Sequence, residues 1–131
     1  MAELASYNGI IPRTVICGST AIPRGARCTL QSTGVVNITA DQTTRGDYVV
    51  IDDNGLVANT AGAIASMSGG GSVPALFDAA IAVGALVYAA SSANPGYFSG
   101  SSASSALVVG RCTLAASAAG VLGQVELFSV A

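Results

Sequence analysis

The side chains able to react are few and of two kinds. Cys17, Cys28 and Cys112 are the strongest nucleophiles, and Asp52 and Asp53 are the one pair of adjacent carboxylates. A thiolate attacks carbonyls or disulfides once a base or a cation lowers its pKa. Paired carboxylates share a proton or hold a divalent ion. The helpers for such chemistry are missing. The chain has no histidine and no lysine, since all five of its cations are arginines, so it has no Ser-His or Cys-His pair and no Schiff-base amine. Arg27 precedes Cys28 and Arg111 precedes Cys112, but neighbours on a strand face opposite ways, so the pairing is poor. No C-x-x-C spacing occurs, and three free thiols are expected, with a Cys17–Cys28 disulfide as the alternative. "GYFSG" lacks the order of a nucleophile elbow, and "SGGGS" lacks the lysine of a phosphate loop. Asp52 and Asp53, followed by Asn54 and Gly55, read as a turn; a calcium site with a loop carbonyl is the competing reading. No catalytic, cofactor or metal residues are expected.

What the elements position must therefore be a surface. The chain has 131 residues, enough for one domain. Charged residues are 9% of it, against roughly 25% in average soluble proteins. Net charge is −2, and Arg13, Arg24, Arg27, Arg45 and Arg111 are scattered, which argues against a nucleic-acid partner. So few charges suit a surface covered by neighbours; the alternative is a polar but uncharged Ser/Thr/Gly surface. The start, "MAELASYNGIIPRTVICG", has an acidic residue where a signal peptide needs basic ones.

The apolar run at 79–90 is too short for a membrane helix, which needs about 20 residues. Gly84 interrupts it, and "SSANPG" follows. It reads as a strand at 85–90 covered on both sides. Further strands are expected at 34–40, 46–55, 56–60, 105–114 and 123–130, with Val125 and Leu127 on one face and Gln124, Glu126 and Phe128 on the other. Residues 73–80 and 114–120 are expected as short helical turns. The fold class is all-β: a small barrel or sandwich of short strands with Gly/Ser loops and at most one or two helical turns. Residues 1–23 form an N-terminal arm and first strand, and 24–131 a single β domain. Within it, 24–60 and 80–131 echo one another, joined by a Gly-rich insert at 66–78. "RCTL" occurs at 27–30 and 111–114, at different places in the two echoes, which marks it as coincidence.

Residues 80–128, "AIAVGALVYAASSANPGYFSG…ALVVGRCTLAASAAGVLGQVELF", resemble small bacteriophage capsid decoration (cement) proteins. The matching positions are Ile81, Gly84, Val87 and Tyr88, then Val109, Gly110, Ala115 and Ala116, and finally Val125 and Leu127. The resemblance implies a compact β domain, often a homotrimer, made in the host cytoplasm and bound to the outer surface of the virion. Its partner there is the major capsid protein, and no enzyme activity, cofactor, nucleic acid or membrane is implied. Shell contacts are expected from the arm at 5–13 or the loop at 66–78, naming Tyr7, Ile10, Ile11, Arg13, Arg24 and Phe77. A β-rich adhesin that binds glycans through an exposed Tyr97 and Phe98 is the alternative, and a cysteine-dependent enzyme a more distant one.

Overall fold

The computed structural model describes residues 12–39, 44–102 and 107–128; Tyr7, Ile10 and Ile11 lie outside them. The fold is all-β, and the described residues contain no helix. The first unit holds β1 (Arg13–Cys17), β2 (Arg27–Leu30), β3 (Val35–Ile38), β4 (Tyr48–Val50) and β5 (Ala61–Ser66). These close into a barrel in the order β1-β3-β2-β4-β5, with β1 parallel to β3 and antiparallel to β5. Closure leaves no open strand edge to template aggregation.

The second unit repeats that plan. It holds β6 (Gly71–Leu76), β7 (Leu86–Ala89), β8 (Phe98–Ser99), β9 (Val108–Leu114) and β10 (Leu122–Leu127), in the order β6-β10-β9-β7-β8. A parallel bridge between Phe77 and Phe98 brings β6 back to β8, in the place of the parallel β1–β3 pair. Small hydrogen bonds repeat as well. Gly25 donates to the Val50 carbonyl at 2.9 Å and Gly84 to the Cys112 carbonyl at 2.8 Å, while Val50 donates back to Ala26 at 3.0 Å and Cys112 to Ala85 at 2.9 Å. The isolated antiparallel bridges Ile22–Leu56 and Ile81–Ala116 also match. Gly25 and Gly84 have φ of +85° and +90°, a conformation glycine adopts without steric penalty. The two units are therefore one topology used twice in tandem. "RCTL" falls on β2 and on β9, which are not counterparts.

Alternation then decides the two faces. Cys28, Val36, Val50 and Ile64 fill the first barrel together with Cys17, Ile22, Ala26 and Leu56. The next residues along β4 and β5, Val49 and Ala65, point outward and join Met67 in a cluster with Val73, Val87, Phe98, Val125 and Leu127 of the second unit. The two units thus share apolar packing as well as a chain.

Several expected elements differ. The segment 73–80 is not helical: β6 runs through it, with Pro74 opposite Gln124. A proline is tolerated because only β10 pairs with β6 at that point. The Gly-rich insert is likewise a short reversal, at 67–70, leading straight into β6. Residues 114–120 hold no helical turn: Leu114 ends β9, Ala116 bridges Ile81, and bends and a turn follow, ending at Gly120 with φ +76°. The return strand expected at 56–60 starts later, at Ala61. Leu56 is held by its bridge to Ile22, and Asn59, with φ +62°, turns the chain first. β7 is covered on one face only. Val87 and Ala89 are buried while Leu86 is 37% exposed, because a barrel strand has one interior side.

Candidate functional site

The three thiols are free and buried. Burial is the main cause that pushes the Cys28 thiol from its ordinary 9.0 up to about 12, with Asp47 and Cys17 adding to it. Burial also raises Cys17 and Cys112. A protonated thiol is a poor nucleophile at neutral pH, and the neighbouring arginines do not help. Arg111 donates to the Gly84 carbonyl at 2.6 Å, and Arg27 points away from Cys28, which lies inside the barrel.

The sign of the linkage follows from Cys28. Between pH 9 and about 12 the unfolded thiol ionises while the folded one stays protonated, so the unfolded state binds fewer protons and stability falls as pH rises. Denaturant melts across this range are expected to show that decline in the wild type and a shallower one in Cys28→Ala. Equal slopes would remove Cys28 as its source.

Asp52 and Asp53 serve the fold. Asp52 accepts from the Asn54 and Ala63 amides at 3.4 and 3.2 Å, which fixes the turn as the sequence suggests. Asp53 forms an ion pair with Arg24. Among the described residues no group of three or more Cys, Asp or Glu side chains could hold a metal ion. Arg24, expected as a shell contact, thus has a partner within the chain. Arg13 is exposed at the start of β1.

The aromatic expectations need correction. Phe98 is fully buried, not exposed, and so is Phe77. Their ring centroids lie 6.2 Å apart at 53°. Their shared bridge between β6 and β8 turns both rings inward, and a tilted pair at this separation is favourable. Neither ring reaches a shell or a sugar from inside the second unit. Tyr97, the outward neighbour of Phe98, is half-buried, and its carbonyl is already an acceptor for Arg27.

Sequence reasoning missed the seam between the units, where two arginines act. Arg27 is fully buried. Its Nε donates to the Tyr97 carbonyl at 3.2 Å, and its Nη1 to the carbonyls of Thr44 and Arg45 at 2.6 and 3.1 Å. Its guanidinium lies 5.8 Å from the centre of the Phe98 ring, within cation–π range. The Arg27 amide also donates to the Gly96 carbonyl at 2.8 Å. Arg45 donates from Nη1 to the Val108 carbonyl at 3.2 Å and from Nη2 to the Phe128 carbonyl at 3.0 Å; burial lowers its pKa. A planar guanidinium can reach several carbonyls at once, which suits it to this role. No signal in the sequence marks Arg27: its neighbours Ala26 and Cys28 are buried, but a lone charge beside small residues reads as solvated.

An open depression of about 430 Å³ lies against the second unit, lined by Asp78, Ile81, Ala85, Ser99 and Ser101 among others. Among the described residues Asp78 is its single carboxylate, and no aromatic ring lines it. No helix among the described residues is long and apolar enough to cross a membrane. No protein-family model matches the chain, and no curated protein matches it.

Proposed function

We propose that the protein is a structural decoration (cement) protein that binds the outer surface of a phage head and bridges subunits of the major capsid protein, acting as a homotrimer. The observation that carries this reading is a surface unusual for an isolated molecule. Among the described residues nine large hydrophobic side chains are exposed, from 37% at Leu86 to 65% at Val83, in a chain with only 9% charged residues. Such a surface gives little electrostatic repulsion and gains by being covered. The resemblance of residues 80–128 to cement proteins points the same way. A ligand that binds only the assembled shell stabilises it by mass action, and an oligomer that engages several sites at once multiplies weak contacts. The glycan-binding alternative loses its platform with Phe98 buried.

Co-sedimentation of the purified protein with undecorated shells tests the proposal. Saturable pelleting, at a simple multiple of the shell's symmetry sites, is expected. Absence of pelleting by folded protein would overturn the reading.

A further inference from the structure

The connection from β4 to β5 contains asparagine followed by glycine, Asn54–Gly55, an order the chain has elsewhere at Asn8–Gly9. In this order a backbone nitrogen can attack the side chain before it, because glycine has no Cβ to obstruct the approach. The glycine is obligatory here: Gly55 has φ +73°, and a Cβ on it would lie 2.7 Å from the Ile22 carbonyl oxygen. The asparagine is open to attack, since Asn54 is exposed and its side chain makes no hydrogen bond among the described residues. The attacking nitrogen is restrained. The Gly55 amide donates to the Asp52 carbonyl at 3.0 Å, and the Asp52 carboxylate braces the turn through the amides of Asn54 and Ala63. Just beyond, Leu56 and Ile22 exchange hydrogen bonds at 2.7 and 3.0 Å, which anchors the turn on the barrel.

We propose that Asn54 is a site of self-modification, its deamidation by the Gly55 amide held back by the closed turn and released when the turn opens. The Gly55 nitrogen gives its proton to hydroxide and attacks Cγ of Asn54, forming an N–Cγ bond. The Cγ–Nδ2 bond breaks, and Nδ2 leaves as ammonia with a proton taken from water. Water then adds to either carbonyl carbon of the cyclic imide and opens it to aspartate or isoaspartate. No group is oxidised or reduced, and water is the only co-reactant. The reaction draws on the open form alone, so the population of that form sets the rate. Isoaspartate carries an extra methylene in the backbone, which pulls the Gly55 amide off the Asp52 carbonyl and disturbs the Leu56–Ile22 pair. Either product adds a carboxylate beside Asp52 and Asp53. The modified fraction is therefore a one-way record of how often the turn has opened, whatever the protein binds.

Peptide mapping by mass spectrometry tests this on the purified full chain aged at mildly alkaline pH, with Asn8 and Asn54 located separately. Asn54 is expected to deamidate in urea, and roughly tenfold or more slowly in the folded protein. Proton exchange of the wild-type Gly55 amide, followed by nuclear magnetic resonance, should be slowed by a similar factor. Asp52→Ala removes the brace and keeps the Asn-Gly pair. Measured against its own rate in urea and confirmed folded by circular dichroism, it should lose several-fold of the protection. The isoaspartate form should unfold at a lower denaturant midpoint than Asn54→Asp, which adds the charge without the methylene. Equal rates at Asn54 in urea and in the folded protein would overturn the proposal. So would a freely exchanging Gly55 amide beside an intact Asn54, or a folded Asp52→Ala protein that keeps full protection.

Discussion

Arg27→Met is expected to cost about 3 kcal/mol or more, read as a drop in the denaturant midpoint. Methionine keeps most of the apolar stem and removes every donor. The carbonyls of Thr44, Arg45 and Tyr97 lose the charged donor they share, and a hydrogen bond to a charged group contributes about 1.5–3 kcal/mol. The ring of Phe98 also loses the cation above it. Lysine should not rescue the loss, because an ammonium cannot span carbonyls on both sides of the seam as a planar fork does. The site of damage is specific, since the Arg27 guanidinium joins the loop at 44–45 to residues 97–98 of the second unit. Loss of that tie should therefore also loosen the coupling between units, visible as a lower m-value or a second transition. A midpoint shift below about 0.5 kcal/mol, typical of surface substitutions, would show that Arg27 does not hold the seam.

The strands were legible in the sequence because a barrel wall imposes a period of two and its corners demand glycine. β10 is the clearest case: Val125 and Leu127 point inward, while Glu126 is exposed, as the alternation requires. Gly25 and Gly84 could be matched from the sequence because both must turn the chain at positive φ. The limits of the two units could not. β1 and β6 are counterparts with dissimilar side chains, RTVIC against GSVPAL, since one lies at an exposed barrel end and the other against the seam. Pro74 and the preceding glycines hid β6, because strand signals weaken where one neighbour is missing. Arg27 was invisible for a different reason. A lone charge is read as solvated, and nothing local reveals that a second copy of the same fold will cover it. The parity of Tyr97 and Phe98 after the turn at 91–96 was equally open, because the register of so short a strand is set by its bridge to Phe77 rather than by its own pattern.

That parity leads to the other large effect. Phe98→Ala is expected to destabilise the protein by about 3–5 kcal/mol, the usual cost of removing a fully buried phenylalanine. The ring packs on Phe77 at 6.2 Å and lies under the Arg27 guanidinium, so its loss opens a cavity in the second unit and thins the seam from below. Phe98→Leu, which refills part of the volume, should recover a share of the loss without recovering the cation contact. Combining Phe98→Ala with Arg27→Met separates these contributions. The two losses should add to less than their sum, by about 0.5–2 kcal/mol, because the cation–π contact is counted in both single variants. Strict additivity would mean that the arginine acts through its carbonyl hydrogen bonds alone. An unchanged midpoint in Phe98→Ala would contradict the buried position of the ring, and would return it to the surface role that its place after a turn first suggests. Burial and packing on two sides predict the opposite: this residue holds the second unit together and presents nothing to a ligand.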